Sequence, residues 1–348
     1  MLHLIALDTE GEVLRQRHAA WWRREGVLLS VSESPPLGNL WLPLADGSLA
    51  ETDMALRPEY LDVDRLAGER YTPGPLQVRG DHFETTAPYV RIPWVEAILG
   101  APIWATIQGG SMRSHKIVEN WDEWPALAEQ KDQAWFDLLR RLTEEMAVRS
   151  AGRVAVVQTL MRGASDIAEA LLGHEMMCFS IYDYPQQLAR FLEKITDGFI
   201  EILLAQMERI PRVAGGVVSP FGIWAPGTVV RGQCDASAIL SASHYADWFL
   251  PHDIRMCQAV DYSIMHLHSG SLHTVPALLE GTYPHAIQVT LDPAPSGPPV
   301  TELLPVLRRV LEHKPLIVEG PLSAAEVDWL LERLPPNGLS ITARRLPW

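Results

Sequence analysis

Short apolar runs alternate with amphipathic stretches of helical length over residues 102–342. The runs that predict strands are 103–107, 154–157, 216–219, 262–268, 286–291, 316–318 and 339–342. The stretches between them that predict helices include 119–150, 165–172, 185–209, 303–312 and 324–334. This alternation predicts a parallel α/β sheet, and 348 residues suit a (β/α)₈ TIM barrel. The count reaches seven strands without the apolar run 27–31, and the eighth strand is not placed.

The first hundred residues have a different pattern, because prolines and glycines interrupt almost every apolar run after residue 34. A short helix is predicted over 15–25, and loops and small hairpins are predicted after it. We expect two parts: an N-terminal extension of residues 1–100 that covers one mouth of the barrel, and the TIM-barrel domain over 101–348.

Charge and composition narrow the classes of partner. The formal net charge is −14, from 29 Lys and Arg against 43 Asp and Glu, and such an acidic surface disfavours nucleic acid and membrane surfaces. The three cysteines show no paired close spacing, so neither a disulfide framework nor a zinc knuckle is predicted. Together with a start that does not resemble a signal peptide, this leads us to expect a cytoplasmic protein.

Two histidines stand at the end of the run 262–268. Side chains alternate faces along a strand, so His266 and His268 point the same way, and Met265 and Leu267 point the other way. If the two apolar residues pack under a helix, both imidazoles face the barrel interior. A pair of neutral imidazoles on one face is a common way to hold a transition metal, and hydrogen-bonded histidines lining a polar pocket are the alternative.

Polar residues follow several predicted strands at the position where barrel enzymes collect their chemistry. These strand-end residues are Gln108, Gln158, Ser219, His266, His268, Gln288, Asp292 and Glu319. We expect the glutamines and Ser219 to contact substrate. Asp292 is a candidate general base, ligand or anchor, or else a turn residue before Pro293. Glu319 is the candidate third metal ligand beside the two histidines, which would leave a position open for substrate, or else a turn residue before Gly320 and Pro321.

Four further residues complete the candidate site. Arg162 and Arg231 are the basic residues expected to pair with a substrate carboxylate, and surface salt bridges are the alternative. Asp235 is a candidate for proton handling or for capping a turn. Tyr182 is expected to donate a hydrogen bond into the pocket or to pack against it.

Three stretches together resemble the uroporphyrinogen decarboxylase superfamily. They are 161–173 with 182–188 after it, 235–241 with 245–251 after it, and the run His-Leu-His-Ser-Gly at 266–270. The last is similar to the "histidine, x, cysteine, x, glycine" motif of the cobamide-dependent methyltransferases in that superfamily. The resemblance covers about residues 150–342 and implies a (β/α)₈ barrel.

The chain departs from both branches of that family. The decarboxylases carry an arginine-rich N-terminal motif for substrate carboxylates, and residues 32–48 contain no arginine. The methyltransferases hold zinc through one histidine and two cysteines, whereas His268 stands at the first cysteine position here and no cysteine follows Cys257.

The sequence leaves three functional hypotheses. The first is an enzyme of metal-assisted methyl or one-carbon transfer that uses a divalent metal such as zinc. Its other reactant would be a corrinoid supplied by a partner protein, or a small thiol or methylated substrate. The second is a metal-independent decarboxylase or lyase acting on a small or tetrapyrrole carboxylate. The third is a non-catalytic barrel that binds a ligand or a corrinoid partner. A small-molecule substrate is expected in the first two, and the sequence leaves a homodimer open.

Overall fold

The computed structural model describes residues 5–33, 39–124 and 131–345. Its strands are β1 Val27–Glu33, β2 Met54–Leu56, β3 Val78–Arg79, β4 His82–Phe83, β5 Thr85–Thr86, β6 Ile103–Thr106, β7 Ser111–Ser114, β8 Ala155–Val156, β9 Val217–Val218, β10 Trp224–Ala225, β11 Val229–Gln233, β12 Tyr262–His268, β13 Ala286–Thr290, β14 Leu316–Gly320 and β15 Leu339–Arg345. The prolines and glycine predicted to break the chain at 35, 36 and 38 lie outside the described residues.

The α-helices are, in order, α1 Thr9–Trp22, α2 Val63–Leu66, α3 Trp94–Ile98, α4 Gln133–Ser150, α5 Ala164–Leu172, α6 His174–Asp183, α7 Pro185–Met207, α8 Ala242–His244, α9 Leu250–Gln258, α10 Val275–Leu278, α11 Val300–His313 and α12 Ala324–Arg333. A π-helical turn, Tyr245–Phe249, joins α8 to α9. Within the described residues, no helix is long and apolar enough to cross a bilayer.

The helices begin where the sequence places a cap or a proline. Asp132 accepts backbone hydrogen bonds at the start of α4, and Ser241 caps α8. Ser323 and Glu326 form a capping box at the start of α12, and Pro185 stands in the first turn of α7. The predicted helices 165–172, 185–209, 303–312 and 324–334 therefore agree closely with α5, α7, α11 and α12, whereas α6 and the short α10 had been missed.

A six-stranded parallel sheet forms the centre of the fold, in the order β1-β15-β14-β13-β12-β11. The apolar face of β12, with Met265 and Leu267, is almost fully buried, and so are Ile287, Val289 and Ile341 on the neighbouring strands. The chain is thus an α/β protein with a parallel sheet, as the alternation of strands and helices predicted.

Four strand assignments need correction. β1, left out of the count, pairs in parallel with β15, so the sheet draws strands from both sides of the predicted domain boundary near residue 100. β6 lies instead in an antiparallel sheet between β2 and β7. Its burial alternates, with Ile103 and Ala105 inside and Trp104 exposed, which is typical of a one-sided antiparallel strand. The domain boundary itself remains a prediction.

The other two corrections concern the middle of the chain. β9 pairs with β10 in a separate antiparallel ribbon and does not enter the parallel sheet. β11, Val-Val-Arg-Gly-Gln, was not among the predicted strands, yet it pairs in parallel with β12.

Contacts reach across the open side of the sheet from both edges. The backbone amide of Asp81, in the turn between β3 and β4, donates to the carbonyl of Leu29 on β1. β5, which pairs with β8, follows this β3–β4 hairpin in the chain. At the other edge, the side-chain amide of Gln158, just beyond β8, bonds both the amide nitrogen and the carbonyl of Arg231 on β11. Backbone pairing among the described residues does not trace a closed ring, and the complete eight-stranded barrel remains a prediction.

Candidate metal centre at the carboxyl ends of the strands

Polar side chains form two adjacent rows at the carboxyl ends of the parallel strands. Gln233, His266 and Gln288 are register partners in the first row. The second row joins five strands through His268, Thr290, Glu319, Thr342 and Ser30. Register partners in parallel strands point to the same face, so these side chains share one face of the sheet while the apolar residues between them pack on the other. The prediction that both imidazoles share one face is confirmed.

The two imidazoles lie together, with ring centroids 4.9 Å apart and ring planes nearly perpendicular. Asp235, two residues beyond β11, completes the cluster: its Oδ1 is 4.0 Å from Nε2 of His266, and its Oδ2 is 3.8 Å from Nε2 of His268. One ligand atom from each of the three residues lies within 4.8 Å of the others. Such a spread lies within the range that a metal ion draws together by small rotamer changes.

Hydrogen bonds fix which imidazole nitrogens face Asp235. Gln288 uses its Nε2 to donate to Thr290 Oγ1 at 3.0 Å and to Glu319 Oε2 at 3.4 Å, so its Oε1 accepts from Nδ1 of His266. Asp292 Oδ1 accepts from Nδ1 of His268 at 2.6 Å. With a proton on each Nδ1, both Nε2 atoms carry a free lone pair. This is the arrangement in which surrounding residues prepare histidines for a metal.

Asp235 also has one carboxylate oxygen that is available to bind a ligand. Gln233 Nε2 donates to Asp235 Oδ2 at 2.8 Å and to Asp166 Oδ2 at 3.0 Å. Oδ1 of Asp235 is shielded from solvent and has no hydrogen-bond partner among the described residues. A buried, unpaired carboxylate oxygen is costly unless a ligand satisfies it.

Local charges shift the proton affinities of the site. Burial, followed by the nearby Arg231 charge, holds the pKa of His266 well below its usual range, which keeps the imidazole neutral and able to bind a metal. Burial and the negative charge of Asp166 raise the pKa of Asp235 to about 6. Burial lowers the pKa of Arg231 to about 10, so this guanidinium stays charged at neutral pH.

The structure brings Asp235, rather than Glu319, to the two histidines. Glu319 Oε1 accepts from Nε of Arg344 at 2.9 Å, and its other oxygen contacts Gln288. Glu319 thus acts on His266 only through Gln288. Asp292 lies against His268 and also accepts hydrogen bonds from the amide and hydroxyl of Ser269, both at 3.0 Å.

The remaining candidates divide into those near the site and those away from it. Arg231 is buried beside Gln233, to which its Nη1 donates. Arg162 instead pairs with the buried Glu96 at 2.6 Å, although its charge still acts on Asp235. The side-chain amide of Gln158 is hydrogen-bonded to the backbone of Arg231, so Gln158 links the end of β8 to β11.

Three residues that were expected to contact substrate have other surroundings in the structure. Gln108 is exposed in the turn after β6, outside the parallel sheet. Ser219 is fully buried and accepts from the amide of Ile223, closing a turn. Tyr182 is largely exposed, and its hydroxyl lies 2.8 Å from Nε2 of His244.

Two residues of the site were missed from sequence. Asp166 is buried and accepts from the backbone amide of Ala236 at 2.8 Å, which anchors the turn that carries Asp235. Gln233 joins Asp166 to Asp235. The available signal was the alternation of Arg231, Gln233 and Asp235, which places all three on one face once 229–233 is recognised as a strand.

Comparison with known proteins supports the fold and leaves the family open. No family model matches the sequence. No curated protein matches it. Among solved structures, the chain is similar to a methyltransferase from Methanosarcina mazei, with a TM-score of 0.59 and 14% sequence identity over 95% of this chain and 93% of that chain. At this level of identity, the similarity shows a shared fold over nearly the whole length of both chains.

Proposed function

We propose that this protein is an enzyme of methyl or one-carbon transfer, and that Asp235, His266 and His268 hold a divalent metal, such as zinc, for that reaction. The observation that carries the proposal is the convergence of three potential ligand atoms within 4.8 Å of one another. Two imidazoles and one carboxylate form a common protein ligand set for zinc, and such a set leaves one position open for water or substrate.

The residues present fit a metal of this kind. Both Nε2 atoms are freed by the hydrogen bonds at Nδ1, and Oδ1 of Asp235 lacks a partner among the described residues. The low pKa of His266 favours the unprotonated ring that metal binding requires.

A bound divalent metal would supply Lewis acidity to a heteroatom of the substrate. The protein's own contribution is to hold its ligands in place before binding. Gln288 and Asp292 fix the tautomers and orientations of the two histidines, and Gln233 fixes the carboxylate of Asp235. Arg231 supplies a permanent positive charge beside the carboxylates of Asp235 and Asp166.

Methyl transfer is the reaction proposed here, because a structural neighbour with the same fold is a methyltransferase. The resemblance of residues 266–270 to a motif of the cobamide-dependent methyltransferases favours the same class. We propose a corrinoid carried by a partner protein, or a small thiol or methylated compound, as the other participant. Membership of the uroporphyrinogen decarboxylase superfamily, a cytoplasmic location and a homodimer remain predictions.

Methylcobalamin and a simple thiol provide an assay. Transfer of the methyl group to the thiolate forms a thioether and leaves cob(I)alamin, which is followed by its absorbance. We expect the wild-type protein and the exposed-histidine control His313→Gln to accelerate the reaction, and Asp235→Asn and His268→Ala to lose that acceleration. Equal rates with all four proteins and with no protein would refute the proposal.

One observation favours a metal-independent decarboxylase or lyase as a second candidate. Arg231 is a buried cation beside Asp235, whose pKa of about 6 suits proton transfer near neutral pH. In that reaction Arg231 would anchor a substrate carboxylate, and Asp235 or Asp292 would handle the proton. Turnover of a carboxylate that survives chelation but is lost in Arg231→Ala would support this candidate over the first.

A further inference from the structure

A cavity of about 320 Å³ opens beside the row that contains His268, Thr290, Glu319, Thr342 and Ser30. Ser30, Glu319 and Thr342 from that row form one wall. Residues of the β3–β4 hairpin, the start of β5 and the loop 220–222 complete the lining. Ligand pockets for small molecules begin at about this volume.

The lining of the cavity carries positively and negatively charged side chains. Arg79 and Glu84 face each other across the hairpin, joined by a contact of 2.5 Å between Arg79 Nε and Glu84 Oε1. Among the described residues, Arg79 makes no other side-chain hydrogen bond, so both of its Nη groups remain for a ligand. Glu319 contributes a second carboxylate, whose Oε1 also accepts from Nε of Arg344 at 2.9 Å.

Hydroxyl groups also line the cavity. Ser30, Ser32, Thr85 and Thr342 all line the cavity, and hydroxyls both donate and accept hydrogen bonds. The lining therefore offers a cation, two carboxylates and neutral polar groups, beside the apolar side chains of Phe83, Pro220 and Phe221.

Glu319 lines the cavity and also contacts a residue beside the candidate metal centre. Glu319 lies two strands from His268 in the same row, which corresponds to about 10 Å at the spacing of parallel strands. Its Oε2 also contacts Gln288, the residue that orients His266. A molecule that contacts both Arg79 and Glu319 therefore touches a residue that is hydrogen-bonded to Gln288.

We propose that this cavity binds a small zwitterion, a molecule of amino-acid size with one anionic and one cationic group, as the small-molecule substrate of the protein. The anionic group binds Arg79, and the cationic group binds Glu319 and Glu84. The role as substrate rests on the proposed function, whereas the binding itself does not.

The charge pattern discriminates between zwitterions and singly charged molecules. A simple carboxylate would gain Arg79 but would bring its charge close to Glu84 and Glu319. A simple amine would gain the carboxylates but would meet the guanidinium of Arg79. A zwitterion satisfies both signs, and charge-assisted hydrogen bonds are among the stronger polar contacts in proteins.

Binding of β-alanine, propionate and propylamine provides the test, because these probes share a three-carbon skeleton and differ only in their charged groups. Ligand-observed NMR on protein kept in excess chelator measures their affinities without any metal. We expect β-alanine to bind more tightly than either singly charged probe. We also expect Arg79→Gln and Glu84→Gln each to weaken its binding by at least about tenfold.

Arg17→Gln is the matched control, because Arg17 pairs with Asp81 in the same region, is about as exposed as Arg79, and does not line the cavity. This variant keeps wild-type affinity for β-alanine. The proposal is overturned if propionate or propylamine binds as well as β-alanine, if none of the probes binds at tens of millimolar, or if Arg79→Gln leaves the affinity unchanged. Because chelator is present throughout, the test of zwitterion binding does not depend on whether the protein binds a metal or transfers a methyl group.

Discussion

Nδ1 of His268 lies 2.6 Å from Oδ1 of Asp292, and this hydrogen bond turns the opposite nitrogen of the ring toward Asp235. Asp292 had been considered as a general base or a metal ligand. From its position against Nδ1 we propose that it acts as a positioning residue for His268, in the manner of the carboxylates that support metal-binding histidines.

Replacing Asp292 with alanine tests that role. We expect Asp292→Ala to weaken the affinity for Zn²⁺ or Co²⁺ by about 10–100-fold, because His268 loses the bond that fixes its tautomer and orientation. Isothermal titration of the metal-free protein measures the change. Ser269→Ala, which removes only a hydroxyl bonded to Asp292, is expected to stay near the wild-type affinity. Unchanged affinity in Asp292→Ala would show that His268 does not depend on this contact.

Gln288 makes a corresponding prediction for His266. Gln288→Leu removes the acceptor at Nδ1 and leaves a buried N–H group without a partner, which costs about 1–3 kcal/mol. We expect a decrease of that size in the free energy of unfolding, measured by urea denaturation, together with weaker metal binding. A variant with wild-type stability and wild-type metal affinity would contradict the tautomer deduced for His266.

The contact between Arg162 and Glu96 predicts an effect on stability rather than on substrate binding. Glu96 is almost fully buried, so Arg162→Met leaves a buried carboxylate without its cation, and we expect a loss of about 3–5 kcal/mol in the free energy of unfolding. The double variant Arg162→Met with Glu96→Gln removes both charges and is expected to recover most of that loss. No recovery in the double variant would show that the ion pair is not what Arg162 contributes.

Two buried histidines away from the site predict how stability responds to acid. Trp224 donates its backbone N–H to Nδ1 of His18 at 2.9 Å, and burial lowers the pKa of His18 to about 3; burial lowers the pKa of His82 to about 4. An unfolded chain binds these protons near pH 6.5, so the folded state binds fewer. The stabilisation from each neutral ring is therefore complete above pH 6.5 and is lost as the pH falls toward the folded pKa.

The size of this acid effect can be isolated with a variant. Between about pH 6 and pH 4, the His18 contribution falls by about 1.4 kcal/mol per pH unit, and His18→Gln removes that dependence. We expect the difference in unfolding free energy between wild type and variant to shrink accordingly, and the NMR signal of the His18 ring to stay constant from pH 8 to pH 5. A His18 signal that titrates near pH 6.5 would contradict the burial and hydrogen bonding described here.

The sequence predicted the parts of the fold that depend on local patterns. Helices after residue 164 were found because their apolar periodicity and caps, such as Pro185 and Ser241, are local signals. The shared face of His266 and His268 follows from the period of a strand alone. Glu319 was expected as the third ligand because it ends a strand, and only its long-range contact with Arg344 shows where its charge is used.

Long-range pairing explains what the sequence did not reveal. β1 joins β15 across more than three hundred residues, and no local pattern in 27–31 indicates that partner. β11 was missed because Arg231 and Gln233 are unusual in a buried strand, although a polar row on one face of a sheet is what a functional site requires. Asp235 could not be placed beside the histidines until that strand was known.

Metal stoichiometry tests the central claim most directly. Protein stripped with chelator, equilibrated with Zn²⁺ and passed through a desalting column is assayed for zinc per chain. The account predicts one zinc per chain in the wild type and in Glu319→Gln, and little or none in Asp235→Asn, His266→Ala and His268→Ala. No retained zinc in the wild type, or zinc lost from Glu319→Gln but kept by Asp235→Asn, would contradict it.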